Sequence, residues 1–133
     1  MAHARQAEPK PISWNERSFR VLVRNAMFRR VELAARRRYD DLAELDGEDG
    51  LDAEEWQEAL ESYFAEHDSI DTGPDARGPH MVLVEKEDRT WRVQQILGDP
   101  AGDHDWRITA DVDLDASDEA VELVLRVTGL VQL

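Results

Sequence analysis

The stretch WRITADVDL, residues 106–114, alternates strictly between apolar and polar side chains. Its apolar members are Trp106, Ile108, Ala110, Val112 and Leu114, and its polar members are Arg107, Thr109, Asp111 and Asp113. A period of two places successive side chains on opposite faces of a β-strand. The stretch therefore predicts a strand with one buried face and one wet face, and the rest of the fold can be assembled around it.

Strand patterns also lie on both sides of this stretch. HMVLVEKE (80–87) and TWRVQQIL (90–97) predict two strands joined by a tight turn at residues 88–89, and AVELVLRVTGLVQL (120–133) predicts a last strand. The segment DASDE (115–119) predicts a turn. The inward side chains of the last strand would be Val121, Leu123, Leu125 and Val127. The four strands together predict an antiparallel meander with an acidic outer face in water.

Two helices are predicted before the sheet. The first begins at Ser13, which has Glu16 three residues later as in a capping box, and then continues over residues 17–45 without Gly or Pro. Its apolar residues lie on more than one stripe, so the helix is either central to the domain or contacts a partner. The second helix begins after Asp52, with Glu55 at the reciprocal capping position. The predicted fold class is α+β, with two N-terminal helices packed on the meander.

The composition predicts one domain over residues 13–133, preceded by a flexible segment at 1–12. The chain has 133 residues and no cysteine, which excludes disulfides and thiolate zinc sites. No apolar run approaches the roughly 18 residues of a membrane span, and the N-terminus lacks the apolar region of a signal peptide. We therefore expect a cytoplasmic protein that does not enter membranes.

Charge is unevenly distributed along the chain, whose formal net charge is -14. Residues 1–39 contain ten Arg or Lys and three Glu, whereas residues 40–133 contain six Arg or Lys and 27 Asp or Glu. The acidic part should repel nucleic acid, so RNA could be contacted only through the basic first helix. The alternative is that the acidic remainder of the domain neutralises this helix. The candidate RNA-binding residues are Arg20, Arg24, Arg29, Arg30, Arg36, Arg37 and Arg38.

The segment DVDLDASDEAVE, residues 111–122, has the ligand spacing of an EF-hand calcium loop. Its oxygen-bearing residues at the ligand positions are Asp111, Asp113, Asp115, Ser117, Glu119 and Glu122. However, the position that needs glycine for the sharp bend holds Ala116, and strand patterns rather than helices flank the segment. We interpret it as a decoy, and the sequence predicts neither a metal site nor a cofactor.

Two short segments combine histidine with aspartate. GDPAGDHDW (98–106) contains His104 and Asp105, and EHD (66–68) contains His67 and Asp68. These four side chains are weak catalytic candidates if the fold brings them around one pocket, because a histidine beside a carboxylate can act as a general base or as a metal ligand. The alternatives are a well-capped loop, and a histidine placed favourably at a helix C-terminus.

Several strings in the chain resemble one known family. NERSFRVLVRNAMFRRVELAARRRYDDLAEL, GPDARGP, DPAGDHDW and DVDLDASDEA are similar to the C-terminal part, a domain of unknown function, of actinobacterial DEAD/DEAH-box superfamily II helicases. The resemblance implies a parent protein whose ATPase core lies upstream. No phosphate-binding GxxxxGK[ST] motif is present here, so we expect that this chain is not an enzyme. The architecture also resembles the nuclear-transport-factor-like (cystatin-like) cone.

These observations favour a non-catalytic accessory domain that acts by protein–protein docking or dimerisation. Its expected partner is the helicase motor core, in cis or in trans, or a second copy of the chain. Two alternatives stay open: a cone-type domain that binds or hydrolyses a small molecule at the His/Asp pocket, and RNA contact through the first helix.

Overall fold

A computed structural model describes residues 10–133 and confirms the α+β class. This part of the chain forms four α-helices, a four-stranded antiparallel sheet and four short 3-10 helices. The helices are α1 (Glu16–Ala35), α2 (Tyr39–Asp46), α3 (Ala53–Phe64) and α4 (Leu114–Ala120), and the strands are β1 (Val82–Glu87), β2 (Thr90–Ile96), β3 (Trp106–Asp113) and β4 (Leu125–Gln132). No helix among the described residues is both long enough and apolar enough to cross a membrane.

The strand order β1-β2-β3-β4 confirms the predicted meander. The alternation of β3 buries the apolar residues predicted from the sequence, and Val112 is fully buried opposite Trp91 of β2. Between β3 and β4 the register shifts at Thr109/Ala110, which marks a β-bulge. The outer face is mixed rather than acidic, because Arg92, Arg107 and Arg126 alternate with its carboxylates.

Helix α1 is central to the core. Its buried apolar residues are Phe19, Val23, Met27, Phe28, Val31 and Leu33, whereas Val21 and Leu22 are exposed. Phe19 meets Trp91 of β2 edge-to-face, with ring centroids 5.1 Å apart. Burial inside the domain therefore accounts for most of the apolar surface around this helix.

The prediction of one uninterrupted helix over residues 17–45 is wrong, because the chain turns between α1 and α2. The N–H of Arg38 donates to the Leu33 carbonyl at 2.9 Å, and that of Arg37 donates to Ala34 at 3.0 Å. These two bonds form a Schellman motif, which usually has glycine at the left-handed position. Here Arg37 occupies it with φ 55°, and its guanidinium lies 3.7 Å from the Phe64 ring centre. The cation–π contact helps to hold a conformation that the sequence did not reveal.

The predicted N-cap at Ser13 is also wrong. Asn15 caps α1 by accepting from the Ser18 amide at 3.1 Å, whereas Ser13 hydrogen-bonds through its amide and hydroxyl to the Asp118 carboxylate. The capping box of Asp52 and Glu55 on α3 is confirmed. Of the predicted flexible segment 1–12, residues 1–9 lie outside the described part, and Ile12 packs against the core.

The predicted turn at 115–119 is the helix α4. Asp113 caps it by accepting from the Ala116 amide at 2.9 Å. Buried Ser117 donates to the Asp113 carbonyl at 2.6 Å and accepts from the Val124 amide at 2.8 Å, so one hydroxyl holds both ends of the connection. Strand β4 consequently starts only at Leu125, and Val121, predicted to face inward, is 70% exposed.

Candidate functional site

A His–Asp cluster forms where the end of α3 meets the β2–β3 connection. His67, Asp99 and Asp105 each offer a ligand atom, and these atoms all lie within 4.8 Å of one another. The His67 amide donates to the Tyr63 carbonyl at 3.0 Å, which places the imidazole just past the last turn of α3. The Asp71 amide donates to the Gly98 carbonyl at 2.8 Å and holds the two segments together.

Asp99 organises the loop that carries it. Its two carboxylate oxygens accept from the amides of Asp103, at 3.0 Å, and His104, at 2.8 Å. Burial disfavours the charged form of Asp99, but these amides and the nearby His67 outweigh it and lower the pKa of the carboxyl group. Gly102 and His104 both have positive φ, which lets the loop curl around the carboxylate.

The environment of the cluster is aromatic and buried. The Tyr63 ring lies beside the His67 ring, tilted by 41° with centroids 5.1 Å apart, and meets Trp106 edge-to-face at 5.8 Å between ring centroids. Its hydroxyl donates to the Ser69 carbonyl at 2.6 Å. Burial, then the charges of Asp99 and Asp105, raise the pKa of Tyr63 far above its usual range. Tyr63 therefore stays a neutral hydrogen-bond donor.

Two polar atoms of the cluster have no hydrogen-bond partner within the described residues. They are Nε2 of His67 and Oδ1 of Asp105, both inaccessible to solvent. The other oxygen of Asp105, Oδ2, accepts from the Gln132 amide group at 3.0 Å. The hydrogen bond to Oδ2 thus orients the Asp105 side chain, while Oδ1 remains available to a ligand.

The structure brings together only part of the predicted His/Asp set. His67 and Asp105 meet, whereas the side chains of His104 and Asp68 are exposed, and His104 contributes its backbone amide instead. Asp99 completes the cluster and was not among the sequence candidates. One signal could have revealed Asp99. It is followed directly by Pro100, and by Gly102 three residues later, which is a pattern typical of a turn closed by a carboxylate.

A groove of about 670 Å³ lies at a different end of the sheet. Its lining comes from the end of α2 and the turn after it, the start of β2, the end of β3, α4 and the chain leading into β4: Leu45, Asp46, Asp49, Thr90, Asp111, Asp113, Ala116, Leu123, Val124, Leu125 and Arg126. Leu45 is 43% exposed and Val124 is 37% exposed, so the groove presents apolar surface among carboxylates.

A buried ion pair supports the wall of this groove. Arg30 of α1 pairs with Asp46 at the end of α2, and the Asp46 side chain is completely buried. Arg30 also donates to the Ala26 carbonyl at 2.8 Å, and the second oxygen of Asp46 accepts from the Val127 amide of β4 at 2.8 Å. The pair therefore joins two helices to the sheet edge, and the prediction that Arg30 contacts RNA is wrong because its side chain is buried.

The other predicted RNA-binding arginines differ in how far they are engaged. Arg20 pairs with Glu16 and lies over the Trp91 ring, Arg37 lies over Phe64, and Arg38 pairs with Asp41. Within the described residues, the candidates that form no ion pair are Arg24, Arg29, Arg36 and Arg37, and of these Arg37 has the cation–π contact.

The residues with EF-hand spacing are spread over three elements. Asp111 lies on β3 and pairs with Arg126 of β4 at 3.6 Å, and Asp113 caps α4. Asp115, on the first turn of α4, pairs with Arg89 at 2.8 Å, and Glu122 is exposed beyond the helix. A strand followed by a short helix differs from the helix–loop–helix geometry of an EF-hand.

Comparison with known proteins gives one result. No curated protein and no solved structure matches the chain. The model of a family described as a domain of unknown function, DUF3516, matches residues 1–130, which is nearly the whole chain. The chain therefore belongs to the DUF3516 family.

Proposed function

We propose that this domain is a non-catalytic docking module that binds a basic, partly apolar segment of a superfamily II helicase motor core. The groove between α2, α4 and β4 carries the proposal. Its volume of about 670 Å³ lies within the range of roughly 300–1,000 Å³ typical of binding pockets. The sequence resemblance to the C-terminal region of DEAD/DEAH-box helicases supplies the partner.

The apolar part of the groove supports a protein partner. Leu45 and Val124 keep about two fifths of their surfaces in contact with water. Covering such surface is favourable by about 25 cal/mol per Å² of apolar area removed from water. The lining of the groove mixes apolar and polar residues, as protein–protein interfaces do.

The charges of the groove favour a basic partner segment. Four of its lining residues are aspartates and one is arginine. Asp46 is neutralised by Arg30 and Asp111 by Arg126, but Asp49 and Asp113 form no ion pair within residues 10–133. Complementary charges would steer a Lys- or Arg-bearing segment toward the groove and would repel RNA.

A binding measurement with a matched pair of variants tests this proposal. Titration calorimetry would measure the affinity of the motor core of a superfamily II helicase from the source organism for three forms of the domain: wild type, Leu45→Glu and Leu83→Glu. Leu45 and Leu83 are each 43% exposed, but Leu83 lies on β1, away from the groove. We expect Leu45→Glu to weaken binding at least tenfold, as a contact at the centre of an interface would, and Leu83→Glu to leave it within twofold.

The contrary outcomes are equally specific. A wild-type domain that does not bind the motor core, or a Leu83→Glu variant that is weakened as much as Leu45→Glu, would reject the groove as the docking site. A concentration-dependent dimer of the domain alone, abolished by Leu45→Glu in sedimentation velocity, would replace the motor core with a second copy as occupant.

Two alternative functions would use other parts of the molecule. A nuclear-transport-factor-like cone that binds or hydrolyses a small molecule would use the His–Asp cluster as its site, and RNA contact would use Arg24, Arg29 and Arg36. We favour docking over both because the groove combines a volume of about 670 Å³ with exposed apolar surface and unpaired charge. A cytoplasmic location, beside a helicase, belongs to the same proposal.

A further inference from the structure

We propose that His67, Asp99 and Asp105 bind one divalent transition-metal ion of the zinc class. This site is independent of the docking groove. The three ligand atoms come from separate segments, after α3, in the β2–β3 connection and directly before β3, yet they lie within 4.8 Å of one another. In a tetrahedral zinc site with bonds of about 2.0–2.2 Å, ligand atoms lie roughly 3.4 Å apart. Side-chain movements that bring the three ligand atoms together by about 1 Å would therefore complete the site.

Unused binding capacity is the second observation that points to a ligand. His67 is only 9% exposed, and its Nε2 forms no hydrogen bond within the described residues; the same is true of Oδ1 of Asp105. Native proteins pair most buried polar atoms, and an unpaired one is destabilising. A bound cation would give Oδ1 of Asp105 a partner and would coordinate one nitrogen of His67.

The charge of the cluster also requires a cation. Two carboxylates face one histidine, and Nδ1 of His67 at 3.9 Å is the only basic group of residues 10–133 within 4.0 Å of Asp99. Glu66 adds a further acid nearby, since Gln132 donates to Glu66 at 2.9 Å and to Asp105 at 3.0 Å. A divalent ion would balance the two carboxylates of the cluster.

Supporting hydrogen bonds hold the ligands in place as they do in known metal sites. The amides of Asp103 and His104 fix the Asp99 carboxylate, and Gln132 fixes Asp105. Such outer contacts orient ligands and raise metal affinity. The Leu133 amide donates to the Asp105 carbonyl at 2.8 Å, so the site also contacts the end of the chain after β4.

The donor set selects the class of metal. One imidazole and two carboxylates suit Zn²⁺, Mn²⁺ or Fe²⁺, and the absence of cysteine from the sequence excludes thiolate ligation. Asp105 is partly exposed, whereas His67 and Asp99 are buried. Three protein ligands with a water in the fourth position is a common zinc arrangement.

The test uses the full chain after removal of metal with EDTA. Zn²⁺ at about one hundred times its Kd should raise the Tm by roughly 5 °C or more, because the ion binds only the folded state. Co²⁺ should give a visible absorption spectrum that saturates at one equivalent. Asp105→Asn and Asp99→Asn should lose both signals.

Matched controls are available among the exposed neighbours. Asp68→Asn and His104→Gln alter side chains of the same types that point into solvent, and both variants should keep the Tm rise and the Co²⁺ spectrum. Asp105→Asn changes a partly exposed residue, and circular dichroism should show that it still folds. The proposal is overturned if the wild-type chain shows no Tm rise and no Co²⁺ spectrum, if either ligand variant keeps them, or if the exposed controls lose them.

Discussion

The domain contains two clusters of buried charge, and they are balanced in opposite ways. In the Arg30–Asp46 cluster, one cation meets one anion, and the spare oxygen of Asp46 accepts from the Val127 amide, although Nε of Arg30 has no partner within the described residues. In the His–Asp cluster, two carboxylates share one histidine, and one atom each of His67 and Asp105 has no partner within the described residues. The contrast therefore lies in charge: the buried pair is neutral and acts as scaffold for the wall of the groove, whereas the excess of carboxylates over basic groups leaves a place for a cation.

The largest expected effect is at the balanced cluster. Asp46→Ala leaves the buried Arg30 guanidinium and the Val127 amide unpaired, so the free energy of unfolding should fall by about 3–5 kcal/mol. Urea denaturation measures the change. Asp49→Ala, three residues later and exposed, should alter stability by no more than about 0.5 kcal/mol.

A double variant sharpens this result. Arg30→Met combined with Asp46→Ala removes both charges, so its cost should be clearly smaller than the sum of the two single changes. Additive costs would mean that the two residues do not act as a pair, and the contrast between the clusters would disappear.

The sequence predicted the fold where the pattern is local and regular. The period of two over residues 106–112 gave the buried face of β3 correctly, and the spacing of Asp52 and Glu55 gave the start of α3. The end of α1 was missed because its Schellman turn uses Arg37 where glycine is usual. When the backbone of a single residue leaves the helical region of φ and ψ, the spacing of the apolar residues does not change, so the sequence pattern does not reveal the turn.

The two clusters were harder to predict because long-range contacts define them. Arg30 reads as one of several surface arginines until the turn after α1 brings Asp46, 16 residues later, against it. The sequence around Asp99 predicts only a turn residue, and it is the packing of α3 that places His67 beside it. Composition gives the charges, but only tertiary packing decides which of them are paired.

Lowering the pH should have an intermediate effect on the free energy of unfolding. The pKa of Asp99 is lowered in the folded state, because its amide contacts and His67 outweigh burial. Its contribution to stability is therefore complete above the unfolded-state value of about 3.9, and it is lost as the pH falls below that value toward the folded-state pKa. Urea denaturation between pH 5 and pH 2 should show a shallower loss of stability in Asp99→Asn than in wild type. Equal slopes would show that Asp99 is not held in its charged form.

The smallest expected effect is at the unbalanced cluster without metal. Asp105→Asn removes one of two neighbouring carboxylates, and an amide can still accept from Gln132. In the presence of EDTA the free energy of unfolding should therefore stay within about 1 kcal/mol of wild type. A loss as large as that of Asp46→Ala would show that Asp105 is as structural as Asp46, and the two clusters would then be alike.

The stoichiometry of Zn²⁺ binding shows whether the His–Asp cluster is a ligand site. Calorimetric titration of Zn²⁺ into the EDTA-treated chain should give one site per chain for wild type and for Asp49→Ala, and no such site for Asp105→Asn. Absence of binding to wild type, or the same single site in Asp105→Asn, would contradict the proposed ligand site.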